Sequence, residues 1–403
     1  MSEATADSRL AAPRAAPKRR VRLSWSDTVF RSIVWQVVIV GIVVAITWYL
    51  IGNTNRNLAQ RHIATGFGFL GRVAGIPIGE SLISYNPAAD TYGRALLIGV
   101  LNTLKVAVVG IVLATILGTL IGIGRLSKNW LLARITAFYV ETLRDIPVLL
   151  QLLFWYTLLQ GLPPPRQALH IGSFFYLTNR GMRLPLLDWQ RAHTAALVVF
   201  VIGVLGSILY RRWARRRQAP TGPRPAAWPV TLSLLIGLPI VVWAALGAPF
   251  QLDRPVLRGF NFHGGATLSP EYFALLIGLV TYTASYIAEI VRSGIQAVPQ
   301  GQWEAAGALG LQPGLVLRRI VLPQAMRVIV PPITSQYLNL TKNSSLAVAI
   351  GYQDIVSIAN TTLNQTGQAI EGIAVIMAVY LTISLSISLF MNWYNARIAL
   401  VER

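Results

Sequence analysis

Apolar residues along this chain gather into eight runs, at about 33–51, 98–124, 146–162, 194–210, 228–247, 272–295, 325–345 and 369–394. Each is long enough, or nearly so, to carry a helix across roughly 30 Å of hydrocarbon. The third and fourth runs are short, and the third is expected to borrow its first turn from the helix before it. The seventh is the most polar. Within it Ser335, Gln336, Asn339, Lys342 and Asn343 recur at helical spacing and share one face. The sixth run places Tyr282, Tyr286 and Glu289 on one face in the same way. The stretches between runs read as loops. The fold class expected is an all-α polytopic membrane protein with about eight transmembrane helices.

Composition agrees. The chain has 403 residues, of which 54% are hydrophobic and 12% charged, against about 25% charged in soluble domains. The net charge of +20 is divided among many short loops, which argues against nucleic-acid binding. Of the 33 basic residues in loops and tails, 23 fall on the side that holds both termini. The positive-inside rule makes that side the cytoplasm. There is no cysteine, so disulfides, thiolate metal sites and a cysteine nucleophile are excluded. His62, His170, His193 and His263 fall far apart in expected loops, so no metal site is expected. Residues 1–22 are rich in Ala, Pro and Arg and read as disordered, with Lys18, Arg19, Arg20 and Arg22 suited to lipid headgroups. The first apolar run is too long for a signal-peptide core and lacks a small-residue cleavage site after it, so it reads as a retained helix.

The segment from Gly301 to Pro323 carries the most specific pattern: Glu304-Ala305-Ala306, then Gly310, Ile320 and Leu322-Pro323. Pro299 and Gly301 end one element. Gln302 to Leu309 suit two helical turns, with Glu304 in the first, where a negative charge complements the helix dipole. Ala305, Ala306 and Gly310 are small enough to let a partner surface come close. Gly310 suits a left-handed C-cap, and Pro313 stops continuation. Leu315 to Val321 suit a second helix, and Pro323 precedes the next apolar run. The same residues also fit an ordinary amphipathic connector.

These spacings resemble the EAA loop of ABC importer permeases, and further stretches resemble the polar and general L-amino-acid branch of that family. They are Leu101-Asn102-Thr103-Leu104-Lys105, Tyr139-Val140-Glu141-Thr142-Leu143-Arg144-Asp145-Ile146-Pro147, Tyr286-Ile287-Ala288-Glu289-Ile290-Val291-Arg292-Ser293-Gly294, and Leu340-Thr341-Lys342-Asn343-Ser344-Ser345. Ser344 stands where the family more often has Thr. The resemblance covers about 98–162 and 266–395 and implies a five-helix type I importer core. Residues 1–32 are then a basic arm, 33–97 an extra helix with an external loop, and 163–265 an inserted helix pair; the core is 98–162 and 266–403, with the coupling loop at 301–323. The family role implied for Glu304, Ala305, Ala306, Gly310, Ile320, Leu322 and Pro323 is docking to a nucleotide-binding ATPase subunit. The implied partners are that ATPase, a second related permease, an external solute-binding protein, membrane lipid and an L-amino acid. The implied location is the bacterial inner membrane. No Gly-Lys dipeptide occurs, so no phosphate-cradling loop is expected and ATP with Mg belongs to the partner.

Polar groups inside a membrane are costly and face protein or water. The candidate pathway residues are Asn102, Gln151, Tyr282, Tyr286, Ser335, Gln336, Asn339, Lys342, Asn343, Ser344 and Ser345. A zwitterionic substrate needs a cation for its carboxylate and acceptors for its ammonium. Lys342 and the run 343–345 suit the first; tyrosines, amides and backbone carbonyls suit the second. The same groups could instead join neighbouring helices. Lys105 is expected to snorkel outward, Glu289 to pair with Arg292, and Glu141, Arg144 and Asp145 to pair locally and cap the third run. Two rivals share the general pattern. An ion-driven secondary transporter leaves the 301–323 pattern unexplained, and a membrane-embedded enzyme needs a reactive constellation inside helices, where no histidine falls.

Overall fold

The computed structural model describes residues 25, 28–60, 65–172, 174–221 and 227–398. The expected disorder and headgroup contacts of residues 1–22 and the position of His62 lie outside these. The chain forms two compact units, Met1–Gly66 and Phe67–Arg403. Among its described residues the first holds one helix, α1 (Thr28–Gln60). At about 1.5 Å per residue it is about 50 Å long, more than a bilayer core requires. Its apolar window is not buried at all within the chain.

The second unit is built on α2 (Tyr92–Arg125) and α8 (Pro270–Gln296). Gly110, Ala114, Gly118 and Gly122 recur every four residues on α2 and form one buried ridge. A Cβ at Gly118 would lie 2.8 Å from the Ala284 carbonyl, and one at Gly122 would lie 2.7 Å from that of Ala288. Small residues at this spacing let two membrane helices approach backbone to backbone. Caps mark their starts. Thr91 accepts from Arg94 N, and Ser269 accepts from Tyr272 N with Pro270 in the first turn.

Next to this pair, α3 (Trp130–Asp145) and α4 (Val148–Gln160) run end to end along α8. Thr136 packs on Gly124 near one end of α8's span, and the Tyr156 hydroxyl donates to Glu271 Oε1 at 3.3 Å at the other. The third apolar run is therefore only the second half of a crossing. Ile146 is extended because the residue before a proline avoids the helical region, and Pro147 starts the new helix.

Residues 163–265 hold α5 (Arg191–Thr221), then α6 (Ala227–Leu232) and α7 (Leu238–Ala245), joined by a π-helical turn at Ser233–Gly237. The flanking segments are not plain loops. Strands β1 (Leu169–Ile171), β2 (Phe175–Thr178), β3 (Gly181–Leu184) and β4 (Leu186–Leu187) precede the pair. Strands β5 (Leu252–Asp253), β6 (Val256–Arg258), β7 (Asn261–His263) and β8 (Ala266–Leu268) follow it. One antiparallel sheet has the order β1-β2-β3-β8, and β4 pairs with β5. The β3–β8 register, Met182 opposite Leu268, zips the two flanks together. Strands of two to four residues leave no readable alternation, and the β3–β8 and β4–β5 partners lie on opposite sides of the insertion, so the sequence pattern does not show them. His170 and His263 lie in strands, and His193 in the first turn of α5, not in loops.

After α8 come α9 (Gln300–Ala308), α10 (Pro313–Val316), a π-helical turn at Leu317–Val321 and α11 (Leu322–Asn343). A 3-10 turn at Ser344–Ile350 leads to α12 (Ile355–Thr366) and α13 (Ala369–Ile398). Among the described residues, 6 helices are long and apolar enough to cross a membrane by length and composition. They are α1, α2, α5, the α6–α7 run, α8 and α13. The other two expected crossings fall on the α3–α4 tandem and on α11, which that measure does not count.

Asp354 caps α12, accepting from Ser357 N at 2.9 Å, and its other oxygen accepts from Tyr380 Oη at 3.3 Å. Burial pushes its carboxyl up to about 7. A raised native pKa means the folded state holds the proton longer than the unfolded one. Stability is then fully present below the ordinary carboxylate pKa and falls as pH rises through about 7. Asp354→Asn keeps the cap and removes the ionisation. Melting of the purified protein from about pH 5 to about pH 8 should decline in the wild type and flatten in the variant. The helix ridge offers a second check. Gly118→Leu drives a side chain into Ile287 and the Ala284 carbonyl, so at least about 1–3 kcal/mol should be lost. A lowered melting temperature in detergent would register it, and unchanged melting would contradict the close packing.

Candidate functional site

The Glu304 segment folds as a helix, a left-handed stop and a second helix. Its first helix, α9, begins after Pro299 and ends in a Schellman motif. Gly310 N donates to Gly307 O at 2.9 Å and Leu311 N to Ala306 O at 3.2 Å, with Gly310 at φ 69°. Ala306, Val316 and Val321 turn into the main core, and Ile320 packs against it. Glu304, Ala305, Leu309, Gly310 and Leu322 are exposed, with Leu309 among the most exposed side chains of the chain. Ala306 thus packs inward, while Ala305 and Gly310 stay exposed. A groove of about 540 Å³ opens beside Trp303, between it, Leu126 and the 295–300 segment.

Pro323 does not end the second helix. The helix runs from Pro313 through the π-helical turn into α11 without a break. A proline ring clashes with the carbonyl four residues earlier, here that of Arg319, and the wide turn at Leu317–Val321 accommodates it. The same device precedes Pro239, where Ser233–Gly237 is wound as a π-helical turn. The helix also continues through Pro331 and Pro332. Residues 313–323 and the polar face of α11 are therefore parts of one rod.

On that rod Ser335, Asn339 and Lys342 form an exposed stripe, with Gln336 and Asn343 half-buried beside it. Among the described residues the side chains of these five make no hydrogen bond or ion pair. The opposite face is engaged: Tyr337 Oη meets Thr115 Oγ1 at 2.8 Å. Tyr282 and Tyr286 are half-buried on α8 and share a hydroxyl contact of 3.2 Å.

Four expected pathway residues spend their donors on backbone carbonyls. Asn102 is buried, and its Nδ2 donates to the carbonyls of Glu80 and Gln353 at 3.0 and 2.9 Å. Gln151 is buried, and its Nε2 donates to the carbonyls of Leu143 and Ile146. Ser344 is buried and donates to Thr341 O, while Ser345 donates to Lys342 O. Lys105 does not snorkel outward. Its ammonium lies 3.0 Å from Glu80 Oε2 and 3.9 Å above the Tyr272 ring. Glu80 Oε1 accepts from Ser269 N at 2.6 Å, tying the 67–91 segment to the start of α8. Glu80 and Gln353 were not singled out from the sequence, since only folding brings them within reach. Glu289 pairs with Arg292 as expected, at 2.5 Å, and also with Arg125 at the end of α2. Among the described residues no cluster of metal-ligating side chains is present.

Comparison with known proteins fits this geometry. The family described as "Binding-protein-dependent transport system inner membrane component" matches residues 228–400. The chain is 50% identical over 384 residues to the General L-amino acid transport system permease protein AapQ of Rhizobium johnstonii, covering 95% of this chain and 96% of the relative. It belongs to the inner-membrane permeases of binding-protein-dependent transport systems. The permease is also 43% identical over 422 residues to the Glutamate/glutamine/aspartate/asparagine transport system permease protein BztB of Rhodobacter capsulatus, covering 96% of this chain and 98% of that one. Coverage this complete means that α1 and the α5–α7 insertion have counterparts in both relatives. The permease is a multi-pass inner-membrane subunit and not an enzyme; ATP hydrolysis belongs to a separate subunit.

Two substitutions test the exposed segment of this permease. The helix starts at Gln300, so Glu304 falls in the second turn of α9 and not, as expected, in the first. Glu304→Lys reverses that exposed charge, and Gly310→Val forces a β-branched residue to φ 69°, at a local cost of about 1–2 kcal/mol. Both variants should insert normally, since a Cβ at Gly310 meets nothing within 4 Å. ATPase co-purification and transport should fall by about tenfold for a loss of about 1.4 kcal/mol of coupling. Unchanged transport in both would remove α9 from the coupling path.

Proposed function

We propose that this permease moves L-amino acids inward in an ATP-driven cycle, receiving them from an external solute-binding protein. The two relatives are named for general L-amino-acid transport and for glutamate, glutamine, aspartate and asparagine transport. The observation that carries the reading is the continuous rod from the exposed segment into the polar stripe of α11. Movement imposed on α9 by a docked ATPase, with its ATP and Mg, reaches the rod across the Gly310 turn through the shared core of Ala306, Val316 and Val321, and the rod carries it to Ser335, Asn339 and Lys342. A secondary transporter has no use for such a rod.

A second, related permease completes the conduit. The unpartnered stripe supports this, because exposed polar groups inside a membrane need protein or water against them. The distribution of basic residues supports placing both termini and the Glu304 segment in the cytoplasm. Lys342 then lies near the external end of α11, where its ammonium meets an incoming carboxylate first.

Proteoliposomes carrying this permease, its partner permease, the ATPase and the binding protein provide the test. Uptake of radiolabelled L-glutamine should require ATP inside the cytoplasmic face and should survive collapse of ion gradients. Lys342→Leu should lower uptake and substrate-stimulated ATP hydrolysis about tenfold while basal hydrolysis persists, since a low-dielectric site amplifies the lost charge. Gradient-driven uptake without ATP would sink the importer reading.

A further inference from the structure

Helix α5 and the α6–α7 run form a hairpin that packs on itself. A Cβ at Gly203 would lie 2.3 Å from the Leu234 carbonyl, and Ser207 and Ala214 are buried along the same side of α5. The outer faces are open and apolar, with Val201, Leu205 and Leu209 on one helix and Ile236 and Ile240 on the other. From Thr194 to Trp213 the helix rises about 29 Å, the thickness of the hydrocarbon core. It does not stop there but continues to Thr221.

The change at that level is abrupt. Arg211, Arg212, Arg215, Arg216, Arg217 and Arg224 follow one another, and no Asp or Glu occurs between Asp188 and Asp253. Positions 211, 212, 215 and 216 share one face of the helix. Arg211 and Arg212 are exposed, and Arg211 Nε donates to Thr231 Oγ1 at 3.3 Å, which fixes its head beside the start of α6. Helical side chains lean toward the N-terminus of their helix. The arginines of α5 therefore lean back toward the apolar run and not away from it. Aromatic rings mark the same level. Tyr210 and Trp213 stack with centroids 5.7 Å apart, and Trp228 at the start of α6 is exposed. Net charge alone serves to orient a loop; it requires neither a guanidinium fixed between two helices nor a ring of tryptophans.

We propose that this end of the hairpin binds the phosphodiester headgroup of an anionic phospholipid. Planar guanidinium forks match two phosphate oxygens at once. Trp213 and Trp228 sit at the glycerol level, as tryptophans do at a membrane interface, and the acyl tails lie along the open apolar faces. A soluble phosphate satisfies the arginines only; a lipid satisfies arginines, tryptophans and apolar faces together. Bound lipid sets the depth of the hairpin. Because β3 pairs with β8 across the insertion, it also steadies the sheet at the far end. The site depends on α5 crossing the membrane and is independent of the substrate carried.

The test uses the purified, delipidated permease complex in detergent. It is titrated with phosphatidylglycerol or with phosphatidylcholine of the same brominated tails, which quench nearby tryptophans. Quenching should appear at a phosphatidylglycerol concentration about tenfold or more below that of phosphatidylcholine, and salt should narrow the gap. Trp213→Phe with Trp228→Phe should remove the phosphatidylglycerol-specific part of the signal. Arg211→Gln with Arg212→Gln should weaken phosphatidylglycerol binding about tenfold or more and leave phosphatidylcholine unchanged. That pair keeps the other four arginines, so the loop retains its orientation. Arg211→Lys with Arg212→Lys keeps every charge but loses the forks and should recover part of the affinity. Arg191→Gln, at the opposite end of α5, should have no effect. Equal quenching of the wild type by the two lipids would overturn the proposal, and so would full phosphatidylglycerol affinity in the glutamine pair. Displacement of the lipid by inorganic phosphate at constant ionic strength would also overturn it, assigning the arginines to a soluble anion. Loss of the ATPase from the glutamine pair with lipid binding intact would assign them to a protein contact instead.

Discussion

Close approach of α2 to α8 is the constraint on which the other elements depend. The ridge Gly110, Ala114, Gly118 and Gly122 removes side-chain bulk where it would hold the helices apart. Lipid tails supply no hydrophobic drive between helices, so van der Waals contact and shape must do so. The paired helices then offer surfaces to everything else. The α3–α4 tandem lies on α8, and α12 docks its first residues against α2, where a Cβ at Gly99 would meet the Ile355 backbone at 2.9 Å. Thr103 Oγ1 accepts from Ile355 N at that contact. α11 closes on α8 through Gly294, whose missing Cβ makes room for Ile329.

Prolines act here as shape devices more than as terminators. Pro147 breaks a crossing in two at mid-depth, because the residue before it is driven out of the helical region. Pro239 and Pro323 are absorbed by π-helical turns ahead of them. The first outcome exposes the charged end of α3; the second lets α10 and α11 act as one rod. The difference lies in what flanks each proline. At Pro147 the freed carbonyls are claimed by Gln151, which stabilises the interrupted form.

Folding pairs several acids and bases, as in Lys105 with Glu80 and Glu289 with Arg125 and Arg292. The Lys105–Glu80 and Arg125–Glu289 pairs join separate segments. At the α3 end Arg144 lies over the Tyr286 ring, in reach of the charge on Glu289.

Hydropathy and spacing alone determine that the chain is a helical membrane protein and locate its apolar runs, because the bilayer imposes a length and a polarity on each helix. The left-handed stop at Gly310 was also legible, since few residues other than glycine adopt that backbone. The family followed from the spacing between Glu304 and Pro323, which is local. What the tertiary structure decided is everything that depends on which residues meet. It buried Asn102, Gln151 and Ser344, whose donors found backbone carbonyls. It turned Ala306 inward, paired β3 with β8 across the insertion, and showed Pro323 inside a helix. It also moved Arg144 from an apparent loop to mid-depth. Periodicity reports the face a residue shares with its own helix; only packing reports what stands opposite that face.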